Sequence, residues 1–195
     1  PARCPCCALP LAAAAPCGAC LRDPPPFDRC VAVADYAFPW DRLIAGLKFQ
    51  DQPERARLLA DLLHQAVLQA GGPAVQCVLP VPLSERRLAE RGYNQAWELA
   101  RRVARHAGLR AESGWLQRLR DTPHQVGLTR AERQRNLQDA MWLTPAGAAG
   151  VAGRAVALVD DVLTTGGTAA AATQVLRRAG ATQVQVWVVA RTPAP

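Results

Sequence analysis

Apolar and polar positions along the chain change period repeatedly, and each change marks an element. Residues 155–159 (A-V-A-L-V) are continuously apolar, the pattern of a strand buried on both faces. Residues 75–81 (V-Q-C-V-L-P-V), closed by Pro82, and 183–189 (Q-V-Q-V-W-V-V) read as two more strands. Residues 30–36 alternate as a shorter one, and 111–116 form a weak candidate. Helical spacing covers Trp40–Phe49, with Leu43, Ile44 and Leu47 on one face. A second helix starts at Pro53 and stops at Gly71-Gly72-Pro73. A third, Gln95–His106, is capped by Asn94, and a fourth, 169–178, stops at Gly180. Strands separated by helices predict an α/β fold with a parallel sheet.

Two stretches carry no apolar period. Residues from Arg118 onward are polar and basic, broken by Pro123 and Gly127, and read as a long loop followed by a short helix from Thr129. Residues 145–153 read as a Gly/Ala linker. Pro24-Pro25-Pro26 cannot be helix or central strand and marks a stiff connector after the first 26 residues.

The chain has 195 residues, half of them apolar, enough for one main domain with a small appendage. No apolar run is long enough to span a bilayer and no signal peptide is visible, so a soluble, cytoplasmic protein without membrane insertion is expected. The net charge of +7 is concentrated between residues 85 and 135, where twelve Arg face six acidic residues. That excess suits a polyanionic ligand or a solvated helix surface. Lys48 is the one lysine in a chain that otherwise uses Arg.

The densest chemistry follows the 155–159 strand. Asp160 and Asp161 precede Thr164, Thr165, Gly166, Gly167 and Thr168, and a helix begins there. A helix start offers free N–H groups and the positive end of its dipole to phosphate, and glycines let the backbone close on the anion. The carboxylates suit a ribose diol or a phosphate-bound Mg²⁺. The pattern is neither a nucleotide P-loop nor a dinucleotide fingerprint. Ser84, Arg86, Arg87 and Arg91 crowd what reads as a loop after the 75–81 strand, at the edge where open parallel sheets bind ligands. Arginine forks match phosphate oxygens there.

Six of the seven cysteines lie in the first thirty residues. Cys4, Cys7, Cys17 and Cys20 form two C-x₂-C pairs, the spacing of a four-thiolate zinc site. Disulfides are the competing reading, disfavoured without signs of secretion. Cys6 could replace a neighbour, Cys30 is a spare, and Cys77 reads as core.

The segment V-D-D-V-L-T-T-G-G-T resembles the phosphoribosyl pyrophosphate (PRPP) motif of type I phosphoribosyltransferases. With the cysteine pairs, L-K-F at 47–49, P-V-P-L-S-x-x-R at 80–87, R-G-Y-N-Q-A at 91–96, R-x-R-x-T-x-x-Q at 118–125 and R-x-x-N at 133–136, the whole chain resembles the ComF (GntX-like) family. The resemblance implies a type I phosphoribosyltransferase-like parallel sheet flanked by helices, with a small N-terminal zinc-ribbon-like head. It divides the chain into a zinc module (1–26), a hood/helical segment (27–74) and a phosphoribosyltransferase-like core (75–195). It implies structural Zn on the four cysteines, and Mg with PRPP. Asp160 and Asp161 would hold the ribose diol, and Thr164, Thr165, Gly166, Gly167 and Thr168 the 5′-phosphate. Ser84, Arg86, Arg87, Arg91 and Lys48 are pyrophosphate candidates. Arg118, Arg120, Thr122, Gln125, Arg133 and Asn136 would belong to a closing hood loop. The family is associated with uptake of single-stranded DNA in natural transformation, and its relatives with nucleotide metabolism. Two functions follow: PRPP-dependent phosphoribosyl transfer to a nitrogen nucleophile, or a non-catalytic module on the same fold that binds single-stranded DNA or a competence helicase.

Overall fold

The computed structural model describes residues 2–49, 53–118 and 141–193, apart from the side chains of 48, 49 and 53. Among them are nine strands: β1 (Ala2–Arg3), β2 (Pro10–Leu11), β3 (Arg29–Asp35), β4 (Cys77–Pro80), β5 (Arg110–Ala111), β6 (Leu116–Arg118), β7 (Met141–Leu143), β8 (Ala155–Leu163) and β9 (Gln183–Arg191). The helices are α1 (Gly18–Arg22), α2 (Trp40–Phe49), α3 (Pro53–Gln69), α4 (Glu85–Arg91), α5 (Gln95–His106), α6 (Pro145–Val151) and α7 (Gly167–Arg178).

A five-stranded, all-parallel sheet in the order β3-β9-β8-β4-β5 forms the centre. Strand alternation divides its side chains between two apolar layers. Ala155, Ala157 and Val159 of β8 face Leu59, Leu63, Leu99 and Val103 of α3 and α5. Val156 and Leu158 face the other way, toward Leu176 of α7, Val151 of α6, and Leu116. Covered on both faces, β8 and β9 are apolar over most of their length, which is why residues 155–159 and 186–190 run rather than alternate. Segment 27–74 contributes the edge strand β3 and helices α2 and α3 to this same layered core.

Three local readings are corrected. The segment after β4 is not a loop: Ser84 caps α4 by accepting the Arg87 N–H, Glu85 sits in the first turn, and Gly92 closes the helix at φ 78. Residues 145–151 are helix rather than linker, because Thr144 caps it through the Gly147 N–H and Pro145 fits the first turn. The weak 111–116 strand is two strands, β5 on the main sheet and β6 paired antiparallel with β7. The loop and short helix expected from 119 to 140 lie outside the described residues.

The order of strands places the site. From β4 the chain moves outward to β5, then returns to β8 on the opposite side of β4 and continues outward to β9. The carboxyl ends of β4 and β8 therefore flank the point where strand order reverses, where open α/β sheets leave a crevice.

Candidate functional site

The last part of β8, toward the crevice, carries the two carboxylates. Asp160 is half-buried and its Oδ1 accepts the Asp161 N–H at 2.8 Å. Asp161 is buried at 4% exposure, and its Oδ1 accepts the Val162 N–H at 3.0 Å. These self-caps fix each carboxylate against its own backbone at the end of the strand.

Thr164 and Thr165 are exposed beyond Leu163, and Gly166 turns the chain at φ 82 into α7. Gly166 occupies the cap position without a side chain, so the cap residue itself offers no oxygen to the amides of the first turn. The Thr165 hydroxyl lies 3.5 Å from the Gly167 N–H. Threonine hydroxyls and the positive end of α7 thus lie together outside the sheet, an arrangement chemically suited to an anion.

Opposite stands the β4 side. Ser84 is buried at 2% exposure as the α4 cap. Arg86 is exposed and pairs with Glu90 one turn on at 2.9 Å, and Arg91 donates to Gln95 at 3.0 Å. Arg87 lies on the same short helix. Asn94 holds the region together: its Nδ2 donates to the Val81 carbonyl at 3.1 Å while its Oδ1 accepts from Ala96 at 2.9 Å. Lys48 lies near the end of α2, its side chain outside the described part. Of the hood-loop residues, Arg118 ends β6, opposite Met141. Arg120, Thr122, Gln125, Arg133 and Asn136 lie outside the described residues.

A second constellation lies in the head. The sulfur atoms of Cys4, Cys7, Cys17 and Cys20 lie within 4.8 Å of one another, all buried, the one such group among the described residues. All seven cysteines are unpaired as disulfides. Burial works against a thiolate at Cys4, but backbone N–H groups of Cys17, Cys7 and Cys6 overcome it and hold that thiol down at about 6. The Cys17 amide is 3.3 Å from its sulfur. Burial pushes the Cys7 and Cys20 thiols up. Four soft donors converging in a closed, buried shell fit a tetrahedral Zn²⁺ and leave no open position for chemistry. Cys6 is not one of the four, Cys30 is buried in β3 with its thiol pushed up by burial, and Cys77 is core.

The head is docked rather than tethered. Arg3 pairs with Asp35 of β3 at 2.7 Å and donates to the Ala8 carbonyl at 2.9 Å. The Cys30 N–H donates to the Pro5 carbonyl at 3.1 Å, and Ala8 is fully buried against the sheet. Sequence reasoning missed Arg191, the last residue of β9, which is buried with its guanidinium between head and loop. Its Nε donates to the Cys7 carbonyl at 2.9 Å, and its Nη1 donates to the carbonyls of Leu163, at 3.1 Å, and Thr164. The signal available was an arginine closing the apolar run 186–190.

Among the described residues no helix is long and apolar enough to cross a membrane. The family model of the phosphoribosyl transferase domain matches residues 94–195. The DNA utilization protein YhgH of Salmonella typhi is 42% identical over 194 residues, covering 97% of this chain and 84% of that protein. The competence protein F of Haemophilus influenzae is 37% identical over 179 residues, covering 90% of this chain and 78% of that protein. Among solved structures, the glutamine PRPP amidotransferase from B. subtilis is similar with a TM-score of 0.48 and 19% identity, over 72% of this chain and 29% of that one.

Proposed function

The chain belongs to the ComF family, a four-cysteine head on a phosphoribosyltransferase domain, and from that membership we propose that it binds PRPP with Mg²⁺ in the service of DNA uptake or nucleotide metabolism. The observation that carries the reading is the β8–α7 junction: two carboxylates, exposed threonines and an uncapped helix start at the strand-order reversal. Asp160 and Asp161 hold the ribose diol, because paired carboxylates accept hydrogen bonds from adjacent hydroxyls. Thr164, Thr165, Gly166, Gly167 and Thr168 surround the 5′-phosphate. Ser84, Arg86, Arg87, Arg91 and Lys48 serve the pyrophosphate. Arg118, Arg120, Thr122, Gln125, Arg133 and Asn136 belong to the segment that closes over it.

The reaction this arrangement suits is transfer of the phosphoribosyl group from pyrophosphate to a nitrogen nucleophile. Departure of pyrophosphate concentrates negative charge, so arginines placed before the reaction lower the barrier without a general base. Mg²⁺ neutralises part of that charge when bound. Holding the ribose by its diol and its 5′-phosphate fixes C1 relative to the leaving group. The zinc head has a structural part, since its closed donor set offers no site for substrate.

Calorimetry with PRPP and Mg²⁺ tests the reading. The native chain is expected to bind, and Asp160→Asn with Asp161→Asn to weaken binding by about a hundredfold, the loss of two charge-assisted hydrogen bonds. A native chain that does not bind PRPP–Mg²⁺ overturns it.

A second reading is favoured by the names of the relatives, a DNA utilization protein and a competence protein. On it the domain is a binding module for single-stranded DNA or a helicase partner. DNA affinity that falls steeply with salt, survives the Asp160/Asp161 changes and drops when Arg118, Arg120 and Arg133 are neutralised would favour this reading.

A further inference from the structure

We propose that Arg191 is a positioning residue that couples the cysteine head to the loop after β8, so that metal in the head and an anion in the loop are held cooperatively. The phosphate-ester character of the anion rests on the proposed PRPP reading; the coupling of head to loop does not.

Two sites that chemistry would treat as separate share one guanidinium. In the sheet, Arg191 lies opposite Asp35 of β3 on one side and Leu163 of β8 on the other. Its side chain is 9% exposed, so its charge has left bulk water and needs acceptors within the protein. Those acceptors are main-chain carbonyls of Cys7, Leu163, Thr164 and Thr192. Cys7 is one of the four clustered cysteines, and Leu163 and Thr164 are the residues at which the chain leaves β8 for the anion cradle.

The consequences run in both directions. Metal on the Cys7 sulfur fixes the peptide plane of Cys7 and so the acceptor for Nε. A fixed guanidinium in turn holds the carbonyls of Leu163 and Thr164, which orients the following amides, those of Thr164 and Thr165, at the mouth of the cradle. Only a planar fork reaches across such a span with several donors at once; an ammonium cannot. The docking contacts Arg3–Asp35 and Cys30–Pro5 keep the head on the same sheet edge, so a change in the head is delivered to Arg191 rather than dissipated in a linker. Because the coupling is a free energy, an anion in the cradle must raise metal affinity by the factor that metal raises anion affinity.

Hydrogen exchange on the zinc-loaded full chain decides the matter. In Arg191→Leu and Arg191→Lys the amides of Ala170, which donates to the Gly166 carbonyl, and Thr192, which donates to the Leu163 carbonyl, are expected to exchange about tenfold faster, within the usual range of such couplings. Zinc content should stay at the native value and exchange in β4 and α5 should not change. Stripping zinc from the native chain with a chelator is expected to loosen the same amides. Unchanged exchange at these amides in the variants overturns the proposal, as does an equal rise across β4 and α5, the mark of a merely structural arginine. Should Arg191→Leu fail to fold, Arg191→Lys, which keeps the charge without the fork, decides. Ribose 5-phosphate with Mg²⁺ is then added while zinc is partitioned to equilibrium against a colorimetric chelator. Tighter zinc retention in the native chain and no gain in Arg191→Lys complete the case. If ribose 5-phosphate and PRPP both fail to bind the native chain, the PRPP reading falls while the exchange data still decide the role of Arg191.

Discussion

At the scale of single residues, Gly166 sets the backbone angle at which the chain turns from β8 into α7. At φ 82 an L side chain is strained, yet the space that a methyl would fill is open, the nearest atom being Leu163 Cδ1 at 3.9 Å. The cost of Gly166→Ala is therefore conformational, about 1 kcal/mol. Gly153, at φ 70 just before the amino end of β8 with nothing within 4 Å of the same methyl, supplies the control. Urea melts should show Gly166→Ala and Gly153→Ala destabilised alike, while PRPP affinity falls only in Gly166→Ala. The strand-to-helix junction was legible because its signal is local: carboxylates, hydroxyls and glycines there are adjacent in sequence. Arg191 was not legible, because its partners, Cys7 and Leu163, are 184 and 28 residues away and meet it only through the sheet.

At the scale of elements, α6 shows why composition misleads. P-A-G-A-A-G-V reads as a linker, since glycine weakens isolated helices by about 1 kcal/mol each. In the fold those glycines are where α6 meets Trp115: a methyl on Gly147 would lie 2.7 Å from the Trp115 carbonyl oxygen. Helix propensity alone says Gly147→Ala stabilises; the packing says it destabilises by about 2 kcal/mol, within the range for overfilled contacts. Thermal melts separate the two by sign. The α4 segment was misread in the opposite sense, its arginines drawing attention to a loop when Ser84 and Gly92 already marked the ends of a helix. In α5, burial of Glu98 opposes its charge, but hydrogen bonds from Arg101 and Arg102 win and hold its carboxyl below the ordinary 4.5. A depressed carboxyl contributes stability that is present above the unfolded value and is lost as pH falls through the lower folded one. Glu98→Gln should thus cost about 1 kcal/mol at pH 7. In urea melts its deficit against the native chain should persist to about pH 5 and close below pH 4.

At the scale of the whole molecule, the five-stranded sheet and the head have separate sources of stability. Alternating helices and strands made a parallel sheet legible, yet not its order: that β8 sits between β4 and β9 follows from long-range pairing, on which local periodicity is silent. Apolar layers hold the sheet on both faces, whereas the head's own cluster is four cysteines with Cys6, Leu9 and Leu11 packed against them. So small a core cannot fold unaided, and a metal bound by the four thiolates would supply the missing free energy. The reduced chain should therefore retain one zinc after dialysis, and Cys20→Ser should lose it. Cys6→Ser and Cys30→Ser should keep it, because neither sulfur belongs to the set of four. On loss of zinc the far-ultraviolet circular dichroism should change little, because α3, α5, α7 and the parallel sheet lie outside the head. Protease cleavage should concentrate before Phe27, where the chain enters the sheet's core. Collapse of the whole spectrum instead would mean that the sheet depends on the head for more than the contacts at Arg3, Cys30 and Arg191.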